Sequence, residues 1–441
     1  LHDSVMLEGC NTSFQMHLQI NPDNFIDSYN WAQAISGPIL SVCSNSPVLF
    51  GKELWEETRI ALFTQSVDTR ANSFLLNEKQ SRVSFGSKWE TGTISGIFKD
   101  NISRFRSLVT SEYSKDSLEM LENGEIPKLR ALNLHNGTVY FWNRMCYGVG
   151  NNKPHLRIEN RYIPSGPTIT DEIANMAFWV GVMLGQPKKY KRIHEKMDFK
   201  DTKSNFFSAA RYGMSTQFKW NGKIISCQDL ILDEFLPMAY KGLYSMGVSP
   251  RDAEHYLKII KNRIESQNGS QWITKSYRNL LKKHKKHEAL QLLTANMYDK
   301  QIHDYPVSTW NVLTQNNIKP SKITKKVKHL MSTDIFSVDK NDSWELVINI
   351  MKWKKIHHLP VIDEDRELVG IVNWSDALAH IVDEDIKDKS VEEIMFTDYI
   401  TVSAEETIDK AKKIMKSNKV DYLLVVKQKK LIGIITSNDF I

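Results

Sequence analysis

Two segments of the chain alternate so that ionisable side chains gather on one face of a strand. From Thr12 to Ile20 the alternation is strict: Gln15, His17 and Gln19 share one face, and Phe14, Met16, Leu18 and Ile20 share the other. From His155 to Arg161 the same period places Arg157, Glu159 and Arg161 together. Each strand therefore has a face for a core and a polar face able to line a cleft. Between them, Ser36-Gly37-Pro38 leads into an apolar stretch, then Ser44-Asn45-Ser46-Pro47. A polar and aromatic run follows, from Glu53 through Trp55, Glu56, Glu57 and Arg59 to Asp68-Thr69-Arg70. Carboxylates, guanidiniums and an imidazole threaded through apolar chain suit a site that holds a metal ion and an anion. A third constellation occurs twice, as Gly370-Ile371-Val372-Asn373-Trp374-Ser375-Asp376 and Gly433-Ile434-Ile435-Thr436-Ser437-Asn438-Asp439.

That duplication is part of a longer internal repeat. An offset of 64 positions pairs Leu330-Met331 with Ile394-Met395, Val338 with Val402, and Ile350-Met351 with Ile414-Met415. Each copy reads as a short strand (335–338; 399–402), a helix, two apolar strands (358–362 and 368–372; 422–426 and 431–435) and a last helix. In the first helix Trp344, Val347, Ile348 and Met351 recur at helical spacing, with Asp342 as its expected N-cap and Glu345 three residues later. A module of some 60 residues buries too little surface to stand alone, so the two copies should pack together.

The chain has 441 residues, 41% hydrophobic and 25% charged, which is globular composition with length for two or more cores. No apolar run approaches the about 18 to 20 residues a spanning helix needs, so neither a membrane span nor a membrane partner is expected. Four cysteines without CxxC or Cys/His spacing argue against a disulfide framework and a structural zinc, and fit a reducing cytoplasm. Leu1-His2-Asp3-Ser4 has no signal-peptide character, and the numbered chain is expected to begin inside a longer one. The net charge of +6 is a local property: Lys275 to Lys328 holds 12 Lys and Arg against Glu288, Asp299 and Asp304. Its densest part, Lys282-Lys283-His284-Lys285-Lys286-His287, lacks interleaved aromatics and reads as a solvated helix face rather than a nucleic-acid site.

The repeat from about Val327 to Ile441 resembles a tandem of cystathionine-β-synthase-type (CBS) domains. The resemblance implies an adenine nucleotide, AMP or ATP, with the terminal aspartates (Asp376, Asp439) on ribose hydroxyls and Thr436 near phosphate; Asn373 stands where the first copy should carry the hydroxyl. It also implies a homodimer. The alternative is that Asp376 and Asp439 only cap helices.

The earlier motifs, from about Val5 to Gln186, resemble the second family of glutamate–cysteine ligases and related carboxylate–amine ligases. The resemblance implies a glutamine-synthetase-like antiparallel sheet and an ATP- and Mg²⁺-dependent reaction through an acyl phosphate, with an amino acid and an amine as substrates. It assigns Glu159 to the metal, Arg161 to phosphate or a substrate carboxylate, His17 to the nucleotide or metal, and Arg59 to an α-carboxylate. Two departures stand out: Gln15 replaces a second histidine, and the strand of metal-binding glutamates expected upstream has no counterpart. The bland alternatives are a Glu159 ion pair with Arg157 or Arg161, a hydrogen-bonded His17, and an exposed helix pair between Arg59 and Glu56.

After a helix from Asp171 to Leu184, a polar crossing is expected over 188–205 and largely helical chain over 206–290, including a start at Ser249-Pro250. The expectation is an α+β protein: a ligase-like domain over 1–303, a basic linker over 304–326 and a tandem α/β CBS pair over 327–441, with units 327–388 and 389–441. The rival expectation is a non-catalytic nucleotide sensor or scaffold.

Overall fold

The computed structural model describes residues 5–68, 81–112, 116–314, 316–318, 326–379 and 389–440. Thr69, Arg70 and the side chain of Asp376 lie outside the described residues. The chain forms two compact units, Leu1–Lys319 and Pro320–Ile441. Both mix helices and sheets, so the fold is α+β. Among the described residues no helix is long and apolar enough to cross a membrane.

The first unit is organised around β1 (Met16–Ile20) and α1 (Phe25–Cys43). Helix α1 is buried on every side from Tyr29 to Cys43, which explains its lack of a polar stripe. It continues without interruption through Ser36-Gly37-Pro38. A hairpin of β2 (Val48–Leu49) and β3 (Lys52–Glu53) follows, then α2 (Arg59–Ser66), β4 (Val83–Ser84) and the surface helices α3 (Ile94–Arg104), α4 (Ser117–Glu122) and α5 (Arg130–Gly137). Strand β5 (Tyr140–Phe141) pairs with β4. The main sheet is antiparallel, with β1 on one side of β7 (Lys153–Asn160) and β6 (Asn143–Gly150) on the other. Its register sets His17 opposite Glu159 and Gln19 opposite Arg157 on one side, and Arg144 opposite Glu159 and Cys146 opposite Arg157 on the other. The opposite face sends Met16, Ile20, Met145 and Ile158 into the core, as the period of two requires.

Helix α6 (Ile169–Leu184) begins two residues before the expected Asp171 and is capped by Thr168. The stretch read as a polar crossing is largely ordered backbone: two 3₁₀ turns lead to α7 (Phe199–Tyr212), which is capped by Asp198, buries Phe206, Ala209 and Ala210, and packs on α1 so closely that a Cβ on Gly37 would crowd the Asn205 carbonyl. The following chain is not all helical. Strands β8 (Gln217–Trp220) and β9 (Lys223–Ser226) form a hairpin, then a helical turn, α8 (Cys227–Asp229), passes through a π segment into α9 (Leu236–Ser245). Helices α6 and α9 cross so closely that a Cβ on Gly242 would overlap the carbonyl of Gly181. Ser249 caps α10 (Pro250–Glu265) as expected.

Helices α11 (Gly269–Leu281) and α12 (Lys286–Ile302) carry a second core of Trp272, Tyr277, Leu280 and Leu293, against which Val307, Trp310 and Leu313 are buried. The linker therefore does not begin at 304: residues expected to span between domains are docked on the first unit, and the division falls after Lys319. Pro306 and the neighbouring Asn and Ser residues signalled a loop correctly, but the apolar residues spaced among them anchor it.

The second unit repeats one motif. Strand β10 (Val338–Asp339) runs parallel to β11 (His358–Ile362), which pairs antiparallel with β12 (Leu368–Asn373); β13 (Thr401–Ser403), β14 (Tyr422–Lys427) and β15 (Lys430–Thr436) repeat the order and each copy has a bulge. Helices α13 (Trp344–Lys354) and α15 (Ile408–Asn418) fill the crossovers, and α14 (Trp374–Ala379) closes the first copy. The N-cap of α13 is Ser343 rather than Asp342, whose carboxylate accepts from the Asp339 N–H at 2.8 Å. The copies interlock by exchanging leader segments: Ser332 pairs with Ile434, and Phe396 with Ile371. Gly433 and Gly370 make room for the sulfurs of Met331 and Met395, which a Cβ would displace.

Candidate functional site

The polar face of the β1-β7-β6 sheet brings together residues from positions 17 to 161. Glu159 is 1% exposed and sits at the centre. Its Oε2 accepts from Arg144 Nε at 2.6 Å, Cys146 Sγ lies 3.6 Å from the same oxygen, and His17 Nε2 lies 3.7 Å from Oε1. Arg144 also donates to the carbonyls of Asn136 and Gly137 at the end of α5, 3.3 Å each. Arg161, just beyond β7, is buried with its guanidinium over the rings of Tyr140 (5.3 Å) and Phe63 (5.9 Å).

Electrostatics decide what this face can hold. Burial pushes the Cys146 thiol up to about 11, and the Glu159 carboxylate adds to the shift, so the sulfur is a thiol at neutral pH. Burial holds the His17 imidazole below its ordinary value, with Glu159 opposing and the arginines assisting, so the ring is neutral. The ligand atoms of His17, Cys146 and Glu159 lie within 4.8 Å of one another. They do not fit Mg²⁺, which takes oxygen ligands: the set offers one carboxylate, already ion-paired, beside a nitrogen and a protonated sulfur. With Arg144, Arg157 and Arg161 against Glu159, the face is cationic and suits an anion. The assignment of Glu159 as a magnesium ligand is corrected accordingly. Its carboxylate is tied to Arg144, a partner the sequence reading did not single out. The signal was present in Asn151-Asn152, whose left-handed φ values of 49° and 56° build the tight turn that fixes Arg144 opposite Glu159.

Arg59 is also corrected. It is 4% exposed, donates to the backbone carbonyls of Arg161 (3.3 Å) and Tyr162, and lies 3.4 Å from Glu57. Its donors are directed at backbone, so it is a structural clamp rather than a receptor for a substrate carboxylate. The exposed pair with Glu56 does not form either, since Glu56 accepts from Ser270. Glu57 is fully buried and takes hydrogen bonds from Ser46 Oγ (2.6 Å) and the Asn45 N–H (2.9 Å). Ser44-Asn45-Ser46-Pro47 is thereby locked to the start of α2. Burial raises the Glu57 carboxyl while Arg59 opposes the shift.

In the second unit, Asp439 Oδ2 accepts from the Thr436 N–H (2.7 Å) and hydroxyl (2.9 Å). Both bonds run from Thr436 to the carboxylate, which corresponds to one half of a capping box, and they orient the carboxylate at the end of β15. At the equivalent place in the first copy, Asn373 Oδ1 lies 3.1 Å from His358 Nδ1. The His358 ring lies 4.2 Å from that of Tyr422, its own counterpart in the repeat, and Nε2 is 3.4 Å from Asp421. A separate cavity of about 280 Å³ in the first copy is lined by Met351, Lys352, Lys355, Ile356, His357 and Trp374.

Residues 327–383 and 391–441 match the family model of the CBS domain, and the C-terminal unit is a tandem pair of CBS domains. The chain is 33% identical over 114 residues to homoserine O-acetyltransferase of Methanohalobium evestigatum, covering 26% of this chain and 23% of that protein. It is 30% identical over 132 residues to inosine-5'-monophosphate dehydrogenase of Methanocaldococcus jannaschii, covering 30% and 26%. The chain thus spans about a quarter of the length of these curated relatives. Among solved structures, CBSX2 in complex with AMP is 27% identical over 26% of this chain and 92% of its own, with a TM-score of 0.24.

Proposed function

We propose that the chain is an adenine-nucleotide-responsive protein in which the second CBS domain binds the nucleotide and its occupancy regulates the first unit. The observation that supports this reading is the turn at the end of β15, where Thr436 holds the Asp439 carboxylate beside a helical start. A carboxylate fixed in this way can accept from ribose hydroxyls, and the resemblance to CBS domains would put the Thr436 hydroxyl near the phosphate. Titration calorimetry of the whole chain with AMP, ADP and ATP tests it. Asp439→Ala should weaken the preferred nucleotide at least about tenfold, the loss of a charge-assisted hydrogen bond. Unchanged affinity would end the proposal.

A second reading is favoured by the cationic sheet face: an ATP-dependent carboxylate–amine ligase of the glutamate–cysteine type. Arg157 and Arg161 would hold phosphate or carboxylate oxygens, Arg144 would fix Glu159, and neutral His17 would donate or accept at the edge of the site. ATP and Mg²⁺ would supply phosphoryl transfer, although His17, Cys146 and Glu159 do not make a magnesium cage. Amine-dependent ADP release from Mg²⁺-ATP with glutamate and a panel of amines, cysteine included, tests this reading. Activity abolished by Arg161→Met would support it, and no release with any amine would exclude it for this chain.

A further inference from the structure

The densest run of positive charge lies outside both sites, and the fold adds an aromatic ring that its own sequence lacks. The hairpin formed by β2 and β3 turns through Phe50 and Gly51, with φ values of 49° and 70°. Left-handed backbone at both positions defines a type I′ turn, which favours Asn, Asp or Gly at the first of them. A bulky residue there is strained, and burial would ordinarily offset the cost. Phe50 has no such compensation, being 65% exposed.

The hairpin is seated on α11 and α12. Tyr277 Oη donates to the Gly51 carbonyl at 3.0 Å, Arg278 pairs with Glu53 at 2.7 Å, and the stem of Lys286 crosses Gly51 so closely that a Cβ there would overlap it. Phe50 thereby stands beside the turn joining the two helices, where Lys282, Lys283, Lys285 and Lys286 are all exposed; Lys52, next in the hairpin, is exposed as well. The nearby acids are engaged: Glu53 with Arg278, and Glu288 with His284 at 3.3 Å.

We infer that Phe50 and these five lysines form an anchoring patch for the surface of an anionic lipid bilayer. A ring exposed at a turn tip can enter the headgroup region, while flexible lysines around it gain from diffuse negative charge without bidentate geometry. The composition disfavours nucleic acid as the partner. The helix–helix turn contributes lysine and no arginine, and a single ring provides no stacking series.

The test is co-sedimentation of the whole chain with vesicles of phosphatidylcholine alone or with about 30% phosphatidylglycerol. Binding is expected only to the anionic vesicles, falling with salt and by about fivefold for each lysine replaced by glutamine. Phe50→Asn is the decisive variant, because Asn suits the left-handed turn and should leave the melting temperature equal or higher while weakening vesicle binding several-fold. Absence of binding to anionic vesicles, equal binding to neutral ones, or indifference to Phe50→Asn would overturn the inference. Binding of a single-stranded oligonucleotide with no vesicle binding would overturn it in favour of nucleic acid.

Discussion

Replacing Arg263 by Met should be among the most damaging single changes in the first unit. Arg263 is 1% exposed on α10 and reaches α6, where its Nη2 donates to Asp171 Oδ1 and to the Asp171 carbonyl, each at 2.9 Å, and its Nη1 donates to Asn175 Oδ1 at 2.5 Å. Methionine would fill most of the volume but leave a fully buried carboxylate without its counter-charge. Breaking a buried pair from one side costs about 3–5 kcal/mol. Asp171 would keep two donors, the Thr168 hydroxyl (2.9 Å) and the Val307 N–H (3.0 Å), which places the loss near the lower end, about 3 kcal/mol. In calorimetry of the whole chain, that should lower the transition of the larger unit, Leu1–Lys319, by about 4–5 °C. Asp171→Asn combined with Arg263→Met should recover much of the loss, because the stranded charge is then absent. A loss below about 1 kcal/mol, or a double variant as unstable as the single, would refute the claim that the pair holds α6 to α10.

Two further predictions concern buried groups. Burial pushes the thiols of Cys43, Cys146 and Cys227 up to about 12, about 11 and about 12, so at pH 7.5 each is held as a thiol, while Cys10 is exposed. Native iodoacetamide labelling followed by mass spectrometry should therefore modify Cys10 and spare the other three until the protein is denatured. In the CBS pair, Gly370→Val should drive Cβ into the Met395 sulfur and lower the stability of that unit by about 1–3 kcal/mol. Adding Met395→Ala should restore part of it in thermal unfolding, whereas no rescue would show that the leader exchange does not depend on that contact.

The polar faces of strands β1 and β7 were legible because a strand's period of two is independent of what it packs against. The strict alternation around His17 and Glu159 therefore told which residues would share a face. It did not tell that they would be directly opposite each other, because register depends on the partner strand, nor that Arg144 would take the carboxylate. Arg59 shows the same limit from another side. Its sequence neighbours are charged and polar, and only the folded chain brings the Arg161 and Tyr162 carbonyls to its guanidinium. The docked segment around Trp310 was read as linker since Pro, Asn and Ser signal turns locally, whereas the pocket that receives the ring is made by Trp272 and its neighbours on α11.

The sequence by itself determined the duplicated C-terminal module, the helix starts at Ser249 and near Asp171, and the sidedness of β1 and β7. All of these follow from periodicity, capping and repetition within short windows of chain. Tertiary structure alone decided the pairing of Arg263 with Asp171, the cationic balance around Glu159, and the seating of the hairpin that carries Phe50 against Tyr277 and Lys286, more than 200 residues away. Those outcomes depend on which distant surfaces exclude water together, and charge, strain and burial acquire their energetic meaning only after that choice is made.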